Sequence, residues 1–376
     1  MQERCADSRL CTNPVARLLR GFSGGGSGRG RPAARAARWI AALLPALLLL
    51  LPSCAPRKTA PARPDEERPA RAFSFAIVSD THTGATAHTG KKVFARIIEQ
   101  INERQPDFLV HCGDWIIAPT PDKLGEATAD TFLHVLSLLD PEIAFYPVLG
   151  NHEGDYEGYA YARSFFPVLG DSGWYSFDHG GARFFVVENN SDAPDSHLPG
   201  YRSCLPNGGI NTPGSEQRTW LASVLRSRPP GTIWTFGFGH RSYYGAEQYA
   251  GRKNIESARR GEDSFCRLIE DAGVDVFFNG DQHCYTRTKP IRDGEAAEGK
   301  QNTTVYLTVG GGGGRINRGQ NVGLEFPVLE GLPAGAFVAG TKGKHFFVHC
   351  TVRDRLFHAD VIDTSGALID SFSIRK

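Results

Sequence analysis

The sequence lacks most of the features that would place it in a specialised class. Only one of its 376 residues is methionine, Met1, and no CxxC pair occurs. Zinc ribbons and thioredoxin-type redox pairs built on that spacing are therefore excluded. There is no internal repeat and no sustained heptad, which removes solenoids and coiled coils. The apolar run Trp39 to Leu51 has 13 residues and contains Pro45, short of the ~20 that a transmembrane helix needs. Charge of one sign is lacking too, with 42 Lys and Arg against 41 Asp and Glu. No nucleic-acid-binding surface is evident in such a balance. Gly310 to Gly314 lacks the Lys-Ser/Thr of a P-loop, so it is read as a close backbone approach beside a site.

What is present begins with a leader. The first 53 residues hold eight Arg and two acidic residues, leaving 34 basic and 39 acidic groups, a net −5, for the rest. Arg31, Arg35 and Arg38 precede the apolar run, and Leu51-Pro52-Ser53-Cys54 follows it. A basic region, a short apolar core and small residues before a cysteine describe an export signal. The last four residues resemble a bacterial lipobox, with Cys54 the lipidated mature N-terminus. Residues 55–71 are rich in Pro, Ala and charge and read as a tether. The expected division is 1–54 leader, 55–71 tether and 72–376 globular domain. The domain would then lie outside the cytoplasm, held by a lipid anchor in a bacterial cell envelope. Five later cysteines, Cys112, Cys204, Cys266, Cys284 and Cys350, allow two disulfides with one thiol over, or none.

From residue 72 onward strand-like and helix-like segments alternate. Apolar runs at 73–79, 107–112 and 143–149 are separated by helical periodicities at 91–104 and 122–139. Three strands joined by helices predict a parallel sheet in an α/β fold. A hairpin follows at 174–189, with Asp178, His179, Gly180 and Gly181 as its turn. Then come a loop at 191–212, a helix at 217–226, a strand at 232–238, a polar loop at 243–263, and a helix and strand at 265–272 and 274–278. A strand at 304–309, a hairpin at 346–362 and a strand at 367–374 close the chain.

The strand ends carry the chemistry. In open α/β sheets ligands sit at the carboxyl ends of strands. Here five such ends finish in polar residues: Asp80 with His82, Asp114, Asn151 with His152, His240, and Asp281 with His283. One Asp after a strand is commonly a helix cap and one His commonly packs in a core. Five ends in one chain point to a shared centre. Hard oxygen donors mixed with imidazole suit Mn, Fe or Zn. Two such ions ~3.5–4 Å apart, sharing a carboxylate, lower the pKa of bound water and hold phosphoryl oxygens. A neighbouring imidazole can protonate the leaving oxygen.

Asp80-x-His82, Gly113-Asp114, Gly150-Asn151-His152-Glu153, Gly239-His240 and Gly280-x-x-His283, in that order, resemble the calcineurin-like metallophosphoesterase family. The run from Gly280 to Arg287 and the 174–189 hairpin look nearest to the purple acid phosphatase branch. The resemblance implies a four-layer αββα sandwich of two mixed sheets with flanking helices. It implies that Asp80, His82 and His283 hold one ion, that Asp114 bridges, and that Asn151, His240 and Asp281 hold a second. His152 is then the catalytic acid, and Arg241 a phosphate-binding or salt-bridge residue. The substrate implied is a phosphorylated small molecule or a phosphodiester, cleaved by metal-bound hydroxide.

Two positions depart from the branch. Ile117 stands where purple acid phosphatases carry a tyrosine ligand, and Asp281 stands where the family usually has histidine. Aspartate favours harder ions such as Mn. It also motivates an alternative, a non-catalytic surface lipoprotein that binds a phosphorylated ligand on the same fold.

Overall fold

The computed structural model of the chain describes residues 72–84, 90–116, 125–154, 160–190, 209–244, 259–316, 337–341 and 343–376. The expected leader with Cys54, the expected tether, Ile117 and most of both long loops lie outside the described residues. No described helix is long and apolar enough to cross a membrane.

The first sheet starts as the sequence pattern predicts. Strands β1 (Ala72–Val78), β2 (Phe108–His111) and β3 (Ala144–Pro147) are parallel neighbours. Their connections carry helices α1 (Gly90–Arg104) and α2 (Gly125–Leu136), the crossover length that parallel pairing requires. In α1 the residues Phe94, Ile97, Ile98 and Ile101 recur at helical spacing and are all fully buried.

The chain then builds a second sheet. The hairpin β4 (Tyr175–His179) and β5 (Ala182–Val186) turns on Gly180-Gly181 alone, so Asp178 and His179 are strand residues rather than turn residues. Helix α3 is the single turn Asn151–Gly154, and α4 is Ala160–Phe165. Helices α5 (Glu216–Arg226) and α6 (Phe265–Asp271) alternate with β6 (Trp234–Phe238) and β7 (Val276–Asn279). Both helices are capped by serine: Ser215 and Ser264 accept from the amides of Arg218 and Arg267. Next come β8 (Tyr285–Thr288), the short β9 (Ile291–Arg292) and β10 (Glu295–Ala296), β11 (Val305–Val309) and β12 (Phe337–Thr341). The order in this sheet is β12-β8-β11-β7-β6-β5-β4. Strands β13 (Phe346–Arg353), β14 (Leu356–Asp363) and β15 (Leu368–Arg375) return to the first sheet, which reads β15-β14-β13-β1-β2-β3. Because β13 is antiparallel to β1 and β8 is antiparallel to β11, both sheets are mixed.

The sheets pack face to face through aromatic rings. Phe75 stacks on Phe108 at 5.2 Å between centroids and meets Phe184 edge-on at 5.6 Å. Phe184 in turn stacks on Phe236 at 5.3 Å. The outer face of the first sheet is closed by α1 and α2 through Phe94 and Phe132. That of the second is closed by α5 and α6 through Leu221, Leu225, Phe265 and Ile269. Helix, sheet, sheet, helix is the four-layer arrangement expected. The parallel strands β1, β2, β3, β6 and β7 deliver their carboxyl ends to one edge of the sandwich.

Candidate metal centre

Three of the five strand ends, those of β1, β2 and β7, are followed by residues in left-handed rather than extended backbone. Asp80, His82, Asp114 and Asp281 have φ of 57°, 46°, 53° and 68°. Left-handed backbone is uncommon outside glycine, though Asp and His are enriched there, and it concentrates at functional sites. Gly150 is required by close approach: a Cβ there would lie 2.2 Å from both the amide nitrogen and Oδ1 of Asp114.

The candidate side chains converge on the carboxylate of Asp114. Its Oδ2 lies 3.4 Å from His82 Nε2 and 3.8 Å from His152 Nε2. Its Oδ1 faces the other way, 3.3 Å from His240 Nε2. On the first side, His283 Nε2 is 3.5 Å and His82 Nε2 3.9 Å from Asp80 Oδ1. On the second side, Asn151 Oδ1 is 3.1 Å from His240 Nε2, and Asp281 Oδ1 is 3.9 Å from it. Three trios offer ligand atoms within 4.8 Å of one another: Asp80-His82-His283, His82-Asp114-His152 and Asp80-Asp114-His240.

Two tests show that these residues fit a metal. Among the described residues, the buried Asp80 Oδ1 and His82 Nε2 have no hydrogen-bond partner. A buried unsatisfied polar atom is costly and calls for an explanation, which an ion at that point supplies. The tautomers are also set for ligation. His240 Nδ1 donates to the Cys112 carbonyl at 2.8 Å and His283 Nδ1 to the Arg315 carbonyl at 2.7 Å. A carbonyl only accepts, so each ring presents Nε2 to the centre, the outer support typical of ligating histidines.

The charges are strongly perturbed. Burial opposes a charged His240, but Asp114, Asp80 and Asp281 override it and hold its pKa up to about 10. Burial likewise opposes a charged His283, and the contact with Asp80 overrides it, giving about 9. The carboxyl of Asp114 is depressed well below its ordinary value because His240 and His152 outweigh burial. His111 goes the opposite way, down to about 3, because burial dominates. It stays neutral and supports the Asp80–His82 turn. Thr81 Oγ1 donates to the Trp115 carbonyl at 2.9 Å and therefore accepts from His111 Nε2 at 3.0 Å.

Three supporting residues carry no ligand-like signal in the motifs. Glu153 Oε2 accepts from the amides of Asp114 and Gly150 at 2.8 and 2.7 Å, and its Oε1 from Trp115 at 2.8 Å. It ties the second strand end to the third; its place directly after Asn151-His152 was the available signal. Asn189 Oδ1 accepts from the amides of His240 and Arg241, both at 2.9 Å, a role that no local pattern announced. Arg315 orients His283 through its backbone, which leaves no trace in side-chain identity. The glycine run behaves as expected: the amides of Gly312 and Gly314 donate to Ser79 and Asp80 carbonyls at 2.8 and 2.7 Å.

Arg241 and Asp281 differ from the rest of the set. Arg241 Nη1 donates to Asp281 Oδ1 at 2.7 Å, so the two pair with each other at the rim of the centre. Among the cysteines, Cys112, Cys266, Cys284 and Cys350 are buried and form no disulfide, and Cys204 lies outside the described residues.

Comparison with known proteins agrees with this geometry. The calcineurin-like phosphoesterase model matches residues 73–285. An Arabidopsis thaliana protein named probable inactive purple acid phosphatase 27 is 25% identical over 218 residues, covering 54% of this chain and 30% of that protein. A Hordeum vulgare nucleotide pyrophosphatase/phosphodiesterase is 24% identical over 252 residues, 59% of this chain and 61% of that one. The chain thus spans less than two thirds of the length of these relatives. Among solved structures, a purple acid phosphatase from yellow lupin (Lupinus luteus) seeds shares the fold at TM-score 0.61 and 18% identity, covering 81% of this chain and 54% of that chain. A dimetal phosphatase from Danio rerio shares it at TM-score 0.53 and 13% identity, covering 81% and 98%. With the matched segment exceeding half of its length and all five motif ends gathered at one edge, the chain belongs to the calcineurin-like phosphoesterase family.

Proposed function

We propose that the chain is a metal-dependent phosphohydrolase that cleaves a phosphomonoester or phosphodiester outside the cytoplasm. The observation that carries this reading is the convergence on Asp114, whose two carboxylate oxygens face two separate donor groups at 3.3 and 3.4 Å. Asp80, His82 and His283 would hold a first ion, and Asn151, His240 and Asp281 a second, with Asp114 shared. Once bound, a pair of Mn, Fe or Zn ions would activate water and offset phosphoryl charge, with Mn favoured by the oxygen-rich second side.

The chain's own residues do the rest. His152 lies at the open side of the centre, its side chain 27% exposed, with Nε2 3.8 Å from Asp114 Oδ2. That position suits a group holding a proton for the leaving oxygen. The ring of His82, 4.9 Å away and edge-on, limits how far the imidazole of His152 can swing. Arg241 is committed to Asp281, which favours its salt-bridge role over direct substrate binding. Export and anchoring through Cys54 rest on the leader sequence, from Arg31 to Cys54. The domain division at 54 and 71 rests on composition in the same way.

A non-catalytic phosphoryl-binding lipoprotein is the second reading. The pairing of Asp281 with Arg241 favours it, as does the word inactive in the name of the Arabidopsis relative. Activity separates the two. Mn-loaded protein is expected to hydrolyse p-nitrophenyl phosphate or its bis ester, and Asp114→Asn to lose at least ~10³-fold in rate. Undiminished turnover in Asp114→Asn contradicts the hydrolase. Metal binding without turnover of either ester supports the binder.

A further inference from the structure

From the unequal commitments of the donor atoms, we infer that the two ion seats differ in affinity, and that Arg241 sets the difference by holding Asp281. This rests on the metal-centre reading above and concerns Arg241, which is outside the ligand set, and its hold on Asp281, which stands where the family usually has histidine.

The first seat is made of uncommitted atoms. Asp80 Oδ1 and His82 Nε2 are buried without a hydrogen-bond partner, and His283 is already aimed by the Arg315 carbonyl. The approaches an ion must replace there are the long ones of His283 and His82 Nε2 to Asp80 Oδ1, at 3.5 and 3.9 Å. The second seat is different. Asp281 Oδ1 is the oxygen facing His240, at 3.9 Å, and it is also the oxygen that accepts from Arg241 Nη1 at 2.7 Å. Ion and guanidinium therefore compete for the same atom. Hydrogen bonds between charged partners are about twice as strong as neutral ones, and these two side chains are only 12% and 15% exposed, so water screens the pair weakly.

The competitor is also held in place. The Arg241 amide donates to Asn189 Oδ1 at 2.9 Å, and its carbonyl accepts from Asn189 Nδ2 at 3.0 Å. The same Asn189 oxygen accepts from the His240 amide at 2.9 Å. Ligand and competitor thus leave one anchored dipeptide and reach the same carboxylate. Arg241 both occupies Asp281 and places a fixed positive charge beside the seat, and each effect lowers affinity for a second cation. When metal is scarce the centre holds one ion, and Arg241 supplies the positive charge on the second side.

The test is calorimetric titration of metal-free protein with Mn²⁺, with bound metal counted by elemental analysis after gel filtration. Wild-type protein is expected to retain one ion per chain and to bind a second at least tenfold more weakly. Arg241→Met, which keeps the length and removes the charge, is expected to tighten the second ion at least tenfold and leave the first unchanged. Asp281→Asn is expected to weaken the second ion only. Should Arg241→Met fold poorly by circular dichroism, Arg241→Gln reads the same effect. Two ions of equal affinity in the wild type, or a second affinity that neither Arg241 variant changes, overturns the inference. Absence of any bound ion overturns the metal-centre reading itself, and the inference with it.

Discussion

Phe75, Phe108, Phe236 and Phe278 sit in the layer between the sheets, fully buried or nearly so. Three to six residues further along the same strands stand Asp80, Asp114, His240 and Asp281. The first group packs ring on ring, in extended backbone, with no charge to satisfy. The second buries carboxylates and imidazoles together, three of the four in left-handed backbone. One strand set therefore serves two opposed purposes within a few residues. The comparison teaches that the aromatic layer supplies the rigidity against which a strained, charged rim can persist. Left alone, the rim would relax or unfold locally.

Changes on either side of that boundary should have separable consequences. The largest concerns the interior. Phe184 contacts rings from both sheets, and Phe184→Ala is expected to lower unfolding free energy by about 3–5 kcal/mol in urea titrations. Metal content of the folded fraction should stay unchanged. Loss of metal at full stability would contradict the division between a structural interior and a functional rim. At the rim, His152→Ala should leave the urea midpoint and bound metal alone while cutting turnover about 10²-fold, an effect read by steady-state kinetics. A stability loss matching that of Phe184→Ala would place His152 in the structural class.

The smallest effect is one of pH on metal-free protein. His240 and His283 have folded pKa values of about 10 and 9, above the ordinary 6.5. A raised pKa stabilises the fold fully below the unfolded value, and the gain is lost as pH rises through the folded one. The melting temperature of metal-free protein should therefore fall between pH 6.5 and 9.5. Mn²⁺ takes the place of those protons, so the loaded protein should lose less over the same range. Equal slopes with and without Mn²⁺ would contradict the assignment of His240 and His283 to the ion seats.

Much of the interior and the order of the strand ends could be read from sequence, because both follow from local pattern. Helix α1 shows its face in Val93, Phe94, Ile97, Ile98 and Ile101, and Gly150-Asn151-His152 follows directly on a buried run. Strand β8, Tyr285–Thr288, was not readable. Its Tyr-Thr-Arg-Thr has little hydrophobic alternation and is held by pairing with β11 and β12, which lie later in the chain. The short β9 and β10, two residues each and paired with one another, carry too few positions for any periodicity, and β12 is held by pairing with the distant β8. The pairing of Arg241 with Asp281 spans 40 positions, and only the adjacency of β6 and β7 brings it about. Cysteine count alone leaves disulfides open; the four described cysteines, all buried, form none.

The central claim is that Asp114 stands between two cation seats built from strand ends far apart in sequence. Anomalous diffraction from crystals grown with excess Mn²⁺ tests it most directly. The account predicts two peaks about 3.5–4 Å apart, one beside Asp80, His82 and His283 and the other beside Asn151 and His240, with Asp114 touching both. Peaks elsewhere, or none within reach of Asp114, would contradict it.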